Sequence, residues 1–320
     1  MNRRTFFTLA STAAAAVVLH RAALAARPET IDAAWYERSR RFANLPMGRI
    51  AYVEAGRGPA AALFLHAFPL NSFQWRGALQ RLQPYRRCIA PDLMSMGRSE
   101  VPETQLIAPD TQVEMLAALL DSLHVTTVDL VANDSGGLVA QLFLARHPHR
   151  VRSLLLTNCD VDKNNPPPNF LPAVVLARKH IFAERFIMPQ LADKNFARSP
   201  RGIGGQAFTW PQHLADETIE IYLRPLVETP LRKTQLDAYT VSMALNELDG
   251  VRDNLRAWKG PARILWAMKD TFFPVSTADW LSQTLPGSRG VRRIEQANLF
   301  FPEEMPDLIA EEAHRLWSSL

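Results

Sequence analysis

Between residues 49 and 159, short apolar runs alternate with amphipathic ones at a spacing that suits a parallel sheet joined by right-handed helical crossovers. Residues 49–55 and 61–66 read as strands linked by the turn Gly56-Arg57-Gly58-Pro59. Further strands are expected at 87–91, 127–132 and 151–159. The last holds Leu154-Leu155-Leu156, the continuous apolar centre of a strand covered on both faces. Helical spacing appears at 72–82, capped by Asn71 or Ser72, at 111–123, where Val113, Leu116, Leu119 and Leu120 share a face, and at 136–146.

The alternation then stops. Residues 161–255 contain no strand run, open with Asn164-Asn165-Pro166-Pro167-Pro168 and hold several helical stretches. Strand and helix resume at 262–268, 276–285, 291–294 and 308–317. The expected fold is a mostly parallel, doubly wound α/β sheet in two parts, residues 35–160 and 256–320. A helical cap, residues 161–255, is inserted over the active-site end of the sheet. No internal repeat is visible.

The first 25 residues are of another kind. Asn2-Arg3-Arg4-Thr5-Phe6-Phe7 sets a twin-arginine pair before aromatic residues, an alanine-rich stretch runs to Leu19, and Ala23-Leu24-Ala25 supplies a cleavage site. His20 and Arg21 add positive charge just before that site, which disfavours the general secretory route. The expectation is a bacterial export signal of twin-arginine type and a periplasmic or secreted mature chain. The leader carries Arg3, Arg4 and Arg21 and no acid, so its loss lowers 36 basic residues to 33, against 32 acidic ones. A nearly neutral mature chain gives no case for nucleic acid or anionic membrane as partner. It also lacks the long apolar run of a membrane span. Nothing in the sequence fixes an oligomeric state.

The sharpest motif is Val131-Ala132-Asn133-Asp134-Ser135-Gly136-Gly137, between an expected strand and helix. It has the shape of a nucleophile elbow, a turn so tight that residues two before and two after its apex must be small. With Ala132 and Gly136 as the small residues, Asp134 is the apex. The other register puts Ser135 there and leaves Asn133 where a small residue is wanted. An ordinary helix N-cap by Asp134 is the plainer alternative.

Other segments fit the same pattern: Leu65-His66-Ala67-Phe68-Pro69 after the strand at 61–66, Asp92-Leu93 with Gly97 and Ser99, and Ile264-Leu265-Trp266-Ala267-Met268-Lys269-Asp270 followed by Phe273-Pro274. Over about residues 35–320 the chain resembles the α/β-hydrolase superfamily. Within it, the chain looks most like the haloalkane dehalogenases and epoxide hydrolases, which use an aspartate nucleophile under a helical cap. That resemblance implies Asp134 as nucleophile or general base and the backbone N–H groups of Phe68 and Ser135 as an oxyanion hole. It implies Asp270 as the acid, with Asp160 as rival, and a mainly structural His66. It also implies no metal or organic cofactor, and a small, mainly apolar molecule as substrate. In the strand order of that fold, the strands of Cys88 and Cys159 lie three steps apart, roughly 14 Å at about 4.8 Å per step. A disulfide needs Cα atoms within about 7 Å, so two free, buried thiols are expected.

The departure comes near the C-terminus. Such chains end with a segment like Gly-Ala-Gly-His-Phe-Pro-x-Glu-Glu-x-Pro, whose histidine is the base. Here the run is Gln296-Ala297-Asn298-Leu299-Phe300-Phe301-Pro302-Glu303-Glu304-Met305-Pro306, with Leu299 at the base position. Leucine cannot accept a proton, so an ester formed on Asp134 is expected to persist. Of the remaining histidines only His66, or His180 and His213 in the cap, are placed to substitute. The side chains that hold halide in dehalogenases are replaced by Ser135 and Phe68, which disfavours dehalogenation. Tyr222 and Tyr239 are candidates for the cap tyrosines with which epoxide hydrolases donate protons. Thr209-Trp210-Pro211 and the cap's apolar residues suggest an apolar cavity. Two other functions stay open: a lyase or isomerase in which Asp134 moves a proton, and a catalytically inactive binding protein.

Overall fold

The computed structural model describes residues 30–162 and 164–318, and the export signal expected at 1–25 lies outside them. Eight strands form one sheet: β1 (Arg41–Leu45), β2 (Gly48–Ala55), β3 (Ala61–Leu65), β4 (Arg87–Pro91), β5 (Val128–Asn133), β6 (Val151–Thr157), β7 (Ala262–Ala267) and β8 (Ser288–Ile294). Their order is β1-β2-β4-β3-β5-β6-β7-β8. β2 is antiparallel to both its neighbours, and all pairs from β4-β3 onward are parallel.

The register explains the stability of the centre. Leu63 lies opposite Ile89 on one side and Leu130 on the other, and Leu130 in turn faces Leu154. Every residue of β3 and β5 is buried, as both-face coverage by helices requires. Helices Pro109–Ser122 and Ser135–Arg146 pack against each other, as do Arg76–Leu82 and Pro306–Trp317. Edge strand β8 is half-buried along most of its length.

Two elements at the N-terminal edge of the fold were not foreseen. Helix Ala33–Ser39 starts where Asp32 accepts a hydrogen bond from Trp35 N at 2.7 Å. Edge strand β1 buries only Ala43 and pairs with β2 through a tight turn, so it shows almost no apolar pattern. β6 also stops at Thr157, two residues before the expected end. The reason is local: Asn158 Oδ1 accepts from Ala267 N at 2.7 Å and its Nδ2 donates to Ala267 O at 3.1 Å. A side-chain amide thus takes over the ladder to β7.

Between β6 and β7 the described residues form helices and no strand. This excursion and the sheet belong to one compact unit. It reaches the loop after β3, where the Phe68 ring packs against Phe170, Phe182 and Tyr239 at centroid distances of 5.8, 6.1 and 6.0 Å. The excursion therefore covers the end of the sheet at which β3 and β5 finish. Cys88 on β4 and Cys159 just after β6 are free and buried, with β3 and β5 between their strands. No described helix is long and apolar enough to cross a membrane.

Candidate active site

Asp134 stands between β5 and the helix Ser135–Arg146 with φ +55° and ψ −128°. A non-glycine residue at positive φ is strained and persists only where its surroundings hold it. Here Asp134 N donates to Asn158 O at 2.7 Å, and Asp134 O accepts from Gly137 N at 2.8 Å. The turn is also jammed against its neighbours. A Cβ on Gly136 would meet Leu65 O at 2.4 Å, and one on Gly137 would meet Cys159 Cβ at 2.4 Å. Asp134 occupies the apex, while Ser135 is the first residue of the helix and Asn133 ends β5. The buried Asn133 amide accepts from Gln74 Nε2 at 2.7 Å and donates to Leu299 O at 3.1 Å.

Both amides expected to form an oxyanion hole converge on the Asp134 carboxylate. Phe68 N donates to Asp134 Oδ2 at 2.8 Å, and the Ser135 backbone N–H also hydrogen-bonds to the carboxylate. Desolvation outweighs these bonds and raises the Asp134 pKa to about 6. Part of the residue nonetheless opens onto a cavity of about 430 Å³, a size suited to a small ligand. Its wall is largely apolar, with Phe68, Phe170, Phe182, Phe186, Phe272, Phe273 and Phe300, together with Leu138, Leu176, Ile203 and Met243. Leu299 is buried and also faces this cavity.

The three carboxylates differ in setting. Asp160 lines the cavity, and its pKa is raised well above the usual range by desolvation, then by the charge of Asp134. Asp270 lies behind the lining. Its Oδ2 accepts from Asn158 Nδ2 and its Oδ1 from Phe272 N, each at 2.7 Å. Desolvation exceeds these bonds and lifts Asp270 to about 7. Asn158 was not singled out from the sequence, although a polar residue closing an apolar parallel strand was a visible signal.

No described histidine lines the cavity. His66 is fully buried with both ring nitrogens engaged: Nδ1 with Ala67 O and Nε2 with Leu93 N, each at 2.9 Å. With the Leu93 N–H donating to Nε2, the ring is the neutral Nδ1–H tautomer. His180 is exposed and faces Asp237 at 3.6 Å, and His213 is exposed. Neither is brought to Asp134.

Tyr222 is also held elsewhere. Its hydroxyl donates to Glu303 Oε2 at 2.6 Å, beside the Arg76–Glu303 ion pair. Tyr239 is fully buried, and its hydroxyl approaches Ser135 without a well-aligned hydrogen bond to it. Trp210, expected to help form the cavity, lies outside it on the surface, because its backbone N–H is drawn to Glu304 Oε1 at 2.7 Å. Asp92 and Gly97 form a structural loop. Asp92 accepts from Ser72 N and Arg98 N at 3.0 and 2.7 Å, and a Cβ on Gly97 would collide with its carboxylate.

A family model described as alpha/beta hydrolase fold matches residues 62–304. A haloalkane dehalogenase of Mesorhizobium japonicum is 42% identical over 105 residues, covering 33% of this chain and 34% of that protein. A 2-hydroxy-6-oxo-2,4-heptadienoate hydrolase of Pseudomonas putida is 40% identical over 82 residues, covering 26% of this chain and 30% of that protein. Both alignments span only about a third of those relatives. Among solved structures, a haloalkane dehalogenase from Bradyrhizobium elkani superposes with a TM-score of 0.71 at 20% identity, over 88% of this chain and 99% of that one. The family model spans most of the sequence, so the chain belongs to the alpha/beta hydrolase fold family, among relatives named as hydrolases and dehalogenases.

Proposed function

We propose that this protein is a hydrolase-type enzyme acting on a small, mainly apolar molecule, with the Asp134 carboxylate as nucleophile. One observation carries most weight: a strained apex carboxylate opens onto a largely apolar cavity while two backbone N–H groups hold it from behind. Attack on the carbonyl of an activated ester makes a mixed anhydride of Asp134 and expels the phenol, whereas attack on an epoxide or alkyl carbon makes an ester of Asp134. When water adds to that ester, the Phe68 and Ser135 amides lie where the oxyanion develops. Asp270, held by Asn158, has no imidazole to orient. Epoxides and activated esters suit this site better than halides, since Phe68 and Ser135 offer no side-chain N–H to a leaving halide.

The test is intact-mass spectrometry after incubation with styrene oxide, 1-bromobutane and an activated aryl ester. An added mass on the peptide carrying Asp134, absent in Asp134→Asn, is expected. If the wild type gains no mass and releases no product from any probe, Asp134 is not a nucleophile.

A second reading is favoured by the raised pKa of Asp134, to about 6. A carboxylate that titrates near neutrality suits proton transfer in a lyase or isomerase. Turnover that depends on Asp134, leaves no adduct and exchanges a substrate C–H for solvent deuterium would replace nucleophilic attack by this chemistry.

A further inference from the structure

Among the described residues, the cavity wall contains two titratable side chains, Asp134 and Asp160. The other polar groups on it are Ser135, Thr271 and the amides of Asn165, Asn169 and Gln206. Asp160 comes from the chain just past β6, next to Asn158, whose carbonyl pins the Asp134 turn. Its backbone carbonyl accepts from Gln141 Nε2 at 2.8 Å, which fixes the residue's place. Its carboxyl group bonds to its own backbone N–H and to no other described side chain, so it is free to meet a ligand. Asp270, the other nearby acid, is spoken for by Asn158 and Phe272.

Resting on the assignment of Asp134 as nucleophile, we infer that Asp160 is the proton-transfer group of this site and takes the part left vacant by Leu299. The step balances with an epoxide as substrate. An Asp134 oxygen attacks a ring carbon, the ring C–O bond breaks, and the leaving oxygen takes the proton of the Asp160 carboxyl. That leaves a hydroxyalkyl ester on Asp134 and a carboxylate at Asp160. Asp160 then removes a proton from water as the water oxygen adds to the ester carbonyl. Collapse breaks the ester C–O bond, and the departing alkoxide takes the proton from Asp160. The proton left on Asp134 passes to Asp160 and resets the pair, for a net addition of water to the epoxide.

Like charges in one largely apolar cavity favour a single proton shared between the two acids. The titratable groups coupled to Asp160 or its neighbour are Asp134 on the elbow, Asp270 after β7, Cys159 beside it and Tyr239 on helix Pro230–Ser242. None is basic, so nothing described there competes for the negative end of the pair.

Leaving groups separate this role from a structural one. Opening styrene oxide needs a proton, whereas displacing bromide from 1-bromobutane does not. Asp160→Asn is expected to slow alkylation of Asp134 by the epoxide by about 10²–10⁴ and alkylation by the bromide by only a few-fold. With either probe its adduct should outlast that of the wild type. Asp160→Glu should recover part of the epoxide rate. Equal losses with both probes, or release as fast as in the wild type, would overturn the role of Asp160 and leave Asp134 standing. If the wild type and Asp134→Asn take up label alike, the nucleophile assignment fails first, and this one with it.

Discussion

Asn158 holds Asp270 with a 2.7 Å hydrogen bond from Nδ2 to Oδ2, and the same amide bonds both backbone groups of Ala267. One side chain therefore closes the sheet between β6 and β7 and occupies the acid that a catalytic histidine would otherwise use. Asp270 is then part of the scaffold. Asp270→Asn should leave alkylation of Asp134 by 1-bromobutane within a few-fold of the wild type. Asn158→Ala should lower stability by about 1–3 kcal/mol, because buried partners lose their hydrogen bonds. Urea unfolding of both variants checks the second expectation, and adduct formation followed by mass checks the first.

Burial raises Asp134 to about 6 and Asp270 to about 7, above the unfolded value near 3.9. Between those limits the folded protein keeps protons that the unfolded chain has released. These two groups therefore contribute most to stability below about pH 4, and their contribution falls as pH rises towards 7 and is lost above that. The loss is on the order of 1–2 kcal/mol per group once cavity water is allowed for. The stability of the wild type relative to Asp134→Asn or to Asp270→Asn should fall as pH rises through this window, and a difference that does not change with pH would contradict the burial of that acid. Nucleophilic attack runs the other way: alkylation by 1-bromobutane should increase through about pH 6 and then plateau.

The same physics decides how much of this was legible in the chain. β3 and the centres of β5 and β6 are buried on both faces, so residues 61–65, 130–132 and 154–156 had to be apolar without a break. Gly136 and Gly137 had to be glycine because Leu65 O and Cys159 Cβ leave no room for a Cβ. Such constraints act on residue type and can be read directly. β1 escaped notice because an edge strand with one buried side chain carries no pattern. The sequence put Asp270 ahead of its rival Asp160 by resemblance alone, since both follow a strand of the sheet. Only the placement of Asn158 commits one and leaves the other at the cavity.

Export and the two thiols give a linked expectation. If residues 1–25 are a twin-arginine signal, the mature protein should begin at Ala26, and changing Arg3 and Arg4 to lysine should stop its appearance outside the cytoplasm. Cys88 and Cys159 should nevertheless stay reduced, because both are buried and β3 and β5 separate their strands. Burial also pushes both thiols upward in pKa, so alkylating reagents should reach them only in denaturant. N-terminal sequencing of the exported protein and thiol counting with and without urea check the two halves separately.

Leu299 offers the most direct test of what the site has lost. Its side chain faces the cavity, while its backbone carbonyl is fixed by Asn133 Nδ2 at 3.1 Å and the loop is tied down by Phe300 N donating to Ala207 O at 2.8 Å. A histidine there would be carried by a loop that is already set in place. Leu299→His should cost about 1–3 kcal/mol for burying a polar ring. Measured in the Asp160→Asn background, where the site's own base is gone, it should also speed release of the Asp134 adduct by at least about tenfold, towards the 10²–10⁴ that general-base assistance supplies. The gain should depend on Asp270, because only an acid behind the imidazole stabilises its charged form. Leu299→His combined with Asp270→Asn should therefore release the adduct more slowly than Leu299→His alone, although Asp270→Asn in the wild-type background has little effect. Equal release rates for the single and double variants would mean that Asp270 no longer reaches the base position, and that the site has moved beyond repair by one substitution.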